Sequence, residues 1–189
     1  MNRSYLQKFQ IKDVVFLAIM SAVALATCAV MPLVISLQPL IFGISQLVTA
    51  LQIGVFFAIG LYKVRKPGSL LIMALMMGLI QLMMSPPMFL SSVLNGVLIE
   101  LIVLLLFRGY EKDAAVFCAA MLHTPLSLPF NYLYNRLIKG ADSPLAAVAD
   151  RAPLAAVGMT LAVVAVSALG ALIGIKIARE LKKSGVLKK

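Results

Sequence analysis

The chain has 189 residues, 62% of them hydrophobic and 13% charged, with a formal net charge of +10. A mean hydropathy of +1.02 excludes an ordinary soluble domain, whose surface needs far more polar side chains. Once the apolar runs are counted as membrane spans of about 20 residues each, no length remains for a soluble catalytic or nucleotide-binding domain. The positive charge is explained by basic cytoplasmic loops and anionic lipid, so no nucleic-acid partner is expected.

Six apolar runs follow one another along residues 1–189, at roughly 13–35, 40–62, 68–85, 88–107, 113–135 and 152–176. They predict an all-α fold, a single integral membrane bundle of six transmembrane helices. The N-terminal run is too long for the apolar region of a secretory signal and is expected to stay as the first span. Fourteen of the seventeen Lys and Arg residues lie in alternate gaps. Arg3, Lys8 and Lys12 precede the first span; Lys63, Arg65 and Lys66 follow the second; Arg108 and Lys112 follow the fourth. Lys176, Arg179, Lys182, Lys183, Lys188 and Lys189 make a basic tail. Cytoplasmic loops collect such residues, so both termini are expected in the cytoplasm.

The connection from Pro32 to Gly43 is uncharged and apolar and should fold back onto the bundle. Arg65-Lys66-Pro67-Gly68 reads as a cytoplasmic turn, and Ser85-Pro86-Pro87 as a short outer one. The fifth gap, about 136–151, is the longest and most polar and is the expected mobile outer lid. Cys28 and Cys118 lie within spans and read as packing residues, with no metal site implied.

Polar groups in hydrocarbon are costly, so their positions are informative. In the fourth span Ser92, Gly96 and Glu100 share one helix face, with Asn95 beside them. In the fifth, His123, Ser127, Asn131 and Asn135 recur every four residues. Pro125 and Pro129 interrupt the same span, each freeing a carbonyl one turn earlier. Backbone freed at membrane depth requires protein or a cavity against it, so the fifth span is expected to line a cavity. At about 1.5 Å per residue, Glu100 and His123 stand roughly 10 and 16 Å above the inner boundary, which predicts that they meet. The candidate substrate-binding residues are therefore Glu100, His123, Asn95, Asn131, Ser127, Gln81 and Tyr134. Ser45, Thr49 and Ser92 read mainly as hydroxyls bonded to backbone.

No phosphate-binding loop is present, so ATP chemistry would have to come from a partner. One Glu and one His supply neither an aspartate pair nor a metal cluster, so a small intramembrane enzyme is the weaker reading and no catalytic residue or cofactor is assigned. A stand-alone proton-coupled carrier, with Glu100 and His123 as a relay, is the alternative to a binding subunit.

In size, span number, orientation and basic tail the chain resembles the substrate-binding S-components of energy-coupling factor (ECF) vitamin transporters. Ala18 and Ala22 match the Ala-x-x-x-Ala of that family's first helix. Arg65-Lys66-Pro67-Gly68, followed by Gly96-x-x-x-Glu100, is similar to members assigned to thiamine or hydroxymethylpyrimidine, in which a fourth-helix acid and a fifth-helix His contact the ligand. The resemblance implies a non-enzymatic capture subunit in a bacterial or archaeal plasma membrane. It also implies a vitamin-like substrate, a transmembrane coupling subunit docking at Ala18 and Ala22, and two ATPase subunits. The chain has no Trp, so Phe89, Phe130, Tyr132 or Tyr134 would have to stack on a ligand.

Overall fold

The computed structural model describes residues 8–28, 34, 36–37, 40–83, 85–140 and 143–187. Among them are seven helices and no strand: α1 (Ile11–Thr27), α2 (Ile44–Lys63), α3 (Ser69–Leu82), α4 (Pro86–Phe107), α5 (Asp113–Ile138), α6 (Pro144–Arg151) and α7 (Pro153–Lys183). Much of the connection from Pro32 to Gly43 (residues 32, 33, 35, 38 and 39) and the basic residues Arg3, Lys188 and Lys189 lie outside the described residues. Length and apolar composition qualify three helices to cross a membrane: α2, α4 and α7. The first span is shorter than its apolar run, because α1 stops at Thr27. At 14 residues α3 reaches only about 21 Å. The polar stripe of α5 lowers its hydropathy despite its 26 residues.

Small residues set the closest helix approaches. A Cβ at Gly170 would lie 2.5 Å from the Leu51 carbonyl oxygen, and one at Gly174 would lie 2.4 Å from that of Val55. Gly54 faces the Ser167 carbonyl from the other side, so α2 and α7 pack backbone to backbone. Gly96 does the same between α4 and α3, where an added Cβ would meet Ala74 Cβ at 2.6 Å.

Hydroxyls join the helices elsewhere. Ser21 Oγ donates to the Met73 carbonyl at 3.1 Å, linking α1 to α3. Ser92 Oγ donates to Ala74 O at 2.9 Å, linking α4 to α3. Pro125 cannot donate to Met121, four residues earlier. The freed carbonyl instead accepts from Ser167 Oγ of α7 at 2.8 Å, so α5 runs on unbroken.

One end of the bundle is tied by ion pairs. Lys66 reaches Asp13 at 2.6 Å, and Asp113 binds both Arg65 and Arg179. These contacts join α1, the α2–α3 turn, α5 and α7. At the other end the expected loop over 136–151 is largely helical. α5 extends to Ile138, and α6 is held to α5 by Asp150, which accepts from Tyr132 Oη at 2.7 Å and from Arg136.

Candidate functional site

Polar residues of four helices converge on a cavity of about 130 Å³ at the end opposite the ion pairs. α2 contributes Ser45, Gln46 and Thr49, α3 contributes Gln81, and α4 contributes Ser91, Ser92 and Asn95. α5 contributes His123, Thr124, Ser127, Asn131 and Asn135, and α6 places Leu145 against the opening. No lining side chain carries a formal charge apart from what His123 can acquire.

The four-residue repeat of α5 accounts for this wall. His123, Ser127, Asn131 and Asn135 all line the cavity, since residues four apart lie on one helix face. The stripe is ordered toward the mouth by local bonds. Asn135 Nδ2 donates to Asn131 O at 2.8 Å, and Asn135 Oδ1 accepts from Ser143 Oγ of the α5–α6 connection at 2.9 Å. Ser127 Oγ donates to Thr124 O at 2.7 Å, and Thr49 Oγ1 to Ser45 O at 2.9 Å.

The deeper part differs. Asn95 Oδ1, both ring nitrogens of His123 and Thr124 Oγ1 are buried without a hydrogen-bond partner. His123 instead rests against Phe57, with ring centroids 4.5 Å apart and planes tilted by 57°. Buried polar atoms are nearly always bonded, so four orphans around one cavity call for a guest or ordered water.

Five of the seven expected binding residues thus come together: His123, Asn95, Asn131, Ser127 and Gln81. Two do not. Tyr134 lines an adjoining, mainly apolar hollow between α4 and α5 with Phe130, Leu90 and Pro87, which shares only Ser91 and Asn131 with the cavity. Glu100 lines neither space. Its Oε1 accepts from the Gly68 backbone N–H at 2.6 Å and its Oε2 from Tyr110 Oη at 2.9 Å. Gly68, with a φ of +92°, opens α3, so the carboxylate caps the exposed N–H groups and positive dipole end of a neighbouring helix. Burial and the adjacent carboxylate push the Tyr110 phenol up, which keeps it a donor.

The Ser92–Gly96–Glu100 face is therefore a packing face toward α3; of these residues and Asn95, Ser92 and Asn95 reach the cavity wall, while Gly96 and Glu100 do not. The expected meeting of Glu100 with His123 fails because α3 begins beside Glu100 and supplies its partners. The sequence pattern does not single out Gln46, Thr124, Ser91 or Leu145, which also line the cavity. Gln46 and Thr124 each adjoin a stripe that was visible, whereas Leu145 carries no polar signal.

On the outer surface of α1, Ala22 and Ala26 are exposed and Ala18 is half-buried. They lie on the same face as Ile11, Val15 and Ile19, so the small-residue face is turned away from the bundle.

No curated protein and no solved structure matches the chain. A family model matches residues 11–183, nearly the whole sequence, and its description is "hypothetical bacterial integral membrane protein". The chain accordingly belongs to this Trep_Strep family of bacterial integral membrane proteins.

Proposed function

We propose that the protein is the substrate-capture subunit of an ECF-type vitamin importer in the bacterial plasma membrane. The observation that carries this reading is the group of unpartnered buried atoms at one cavity: Asn95 Oδ1, His123 Nδ1 and Nε2, and Thr124 Oγ1. Each such atom costs about 1–3 kcal/mol when unsatisfied. A solute that bonds them recovers that energy, and one lacking the matching groups does not, which is a strong basis for selectivity.

The cavity also bears on the substrate. Its volume of about 130 Å³ is close to the roughly 150 Å³ that accommodates one benzene ring. A neutral lining rich in amides and hydroxyls suits a neutral heteroaromatic ring with donors and acceptors. Both points favour a hydroxymethylpyrimidine-like ligand over the larger, cationic thiamine.

In this reading α1–α5 and α7 are the six spans, the ion-paired basic end faces the cytoplasm, and the cavity opens outward beneath α6. The outward face of α1 bearing Ala18 and Ala22 receives the transmembrane coupling subunit, since small residues permit close helix approach. Two ATPase subunits in the same complex supply the energy. The proton-relay alternative loses its main support, because Glu100 bonds to Gly68 and Tyr110.

The test has two arms. Affinity purification of the tagged protein from its own membranes should bring down two ATPases and a coupling subunit, and Ala22→Trp should prevent this. Calorimetry on the purified protein should detect hydroxymethylpyrimidine binding that His123→Ala abolishes. Uptake by proteoliposomes containing this protein alone, without ATP, would refute the reading.

A further inference from the structure

A second, roomier hollow lies at the opposite end from the polar cavity. It measures about 590 Å³ and is bounded by the start of α1, the end of α2 with the turn after it, and the tail of α7. Its walls carry five cationic side chains, Lys12, Lys63, Arg65, Lys66 and Lys182, against one carboxylate, Asp13. Lys66 is paired with Asp13, and Arg65 with Asp113. Lys12 and Lys182 make no salt bridge among the described residues, and both are exposed.

Aromatic rings hold the cations in place. Arg65 lies over Tyr62 at 4.1 Å, and Lys182 lies over the same ring at 5.9 Å. Lys63 lies over Phe16 at 5.9 Å. Cations fixed this way surrender less side-chain freedom when an anion arrives.

We propose that this hollow is a binding site for the phosphodiester headgroup of an anionic phospholipid. Charge complementarity requires an anion. The location selects a lipid as its source. Ile11, next to Lys12, is 84% exposed, so the hollow opens where the apolar exterior of the bundle begins. Basic pockets at this level of a membrane protein attract anionic headgroups, and apolar surface beside them accommodates the acyl chains. A bound headgroup would bridge the beginning of α1 directly to the tail of α7, which the ion pairs connect only by way of the α2–α3 turn and α5.

The test uses the full-length protein in neutral detergent, with native mass spectrometry against phosphatidylglycerol and phosphatidylcholine. Retention of phosphatidylglycerol in clear excess over phosphatidylcholine is expected. The double substitution Lys12→Gln with Lys182→Gln should weaken that retention roughly thirtyfold, since each removes one surface cation. Both residues are exposed, so the variant should keep the parent's melting temperature, and Arg65→Gln provides a second variant with the same expected direction. Inorganic phosphate at millimolar concentration should not displace the lipid. Equal retention of the two lipids, unchanged retention in both variants, or displacement by inorganic phosphate would each overturn the proposal, the last by identifying a soluble anion as the occupant.

Discussion

Glu100 and Asn95 lie five residues apart on α4, and their removal should have opposite consequences. Glu100→Ala leaves the half-buried Gly68 N–H and the fully buried Tyr110 O–H without their acceptor. At about 1–3 kcal/mol for each stranded donor, the loss is about 2–6 kcal/mol. For a chain of this length, about 2–4 °C per kcal/mol puts the fall in melting temperature at about 5–20 °C. Glu100→Gln keeps one acceptor oxygen and should lose about half as much. Asn95→Leu removes an amide whose oxygen has no partner and substitutes an apolar group of similar size, so stability should stay level or rise. Ligand binding should show the reverse pattern, abolished by Asn95→Leu and retained by Glu100→Gln at temperatures where that variant is folded. The measurements are thermal unfolding in detergent and calorimetric titration with hydroxymethylpyrimidine. A Glu100→Ala protein that melts like the parent yet no longer binds ligand would refute the capping role and return Glu100 to the binding site.

Ser167→Ala should cost about 0.5–1.5 kcal/mol, read as a lower melting temperature, because the Met121 carbonyl freed by Pro125 loses its donor. Gly170→Leu should be far worse, since even a Cβ there sits 2.5 Å from the Leu51 carbonyl oxygen. It should cost about 3 kcal/mol or more by overpacking, seen as aggregation in size-exclusion chromatography, and a monodisperse variant would show that α2 and α7 do not pack this closely. For orientation, Lys139→Cys at the α6 end should react with an impermeant thiol reagent on intact cells, and Ser184→Cys only after permeabilisation. The opposite pattern would invert the bundle.

Some of this architecture is legible in a single chain because it rests on periodicity and composition. Hydrophobic run length predicts helices, and the observed helices fall on those runs except α6, which forms in the polar gap at 136–151. A polar stripe at four-residue spacing identifies the wall that α5 presents to a cavity, because helix geometry alone puts His123, Ser127, Asn131 and Asn135 on one side. The prolines in that stripe foretell a carbonyl in need of a donor, although Ser167 as its donor follows only from the packing of α7. Which face meets which neighbour is beyond periodicity. The stripe of Ser92, Gly96 and Glu100 is a true face of α4, yet α3 covers it, and Glu100 becomes a cap because Gly68 begins a helix 32 positions away in the chain. Gly170-x-x-x-Gly174 and Ala18-x-x-x-Ala22 look alike in sequence. One is buried against α2 and the other faces outward, a distinction made by helix order and rotation in the bundle. An intramembrane carboxylate announces only that it needs partners; the tertiary fold, by bringing the N–H groups of α3 and the Tyr110 hydroxyl within reach, decides that those partners belong to the protein itself.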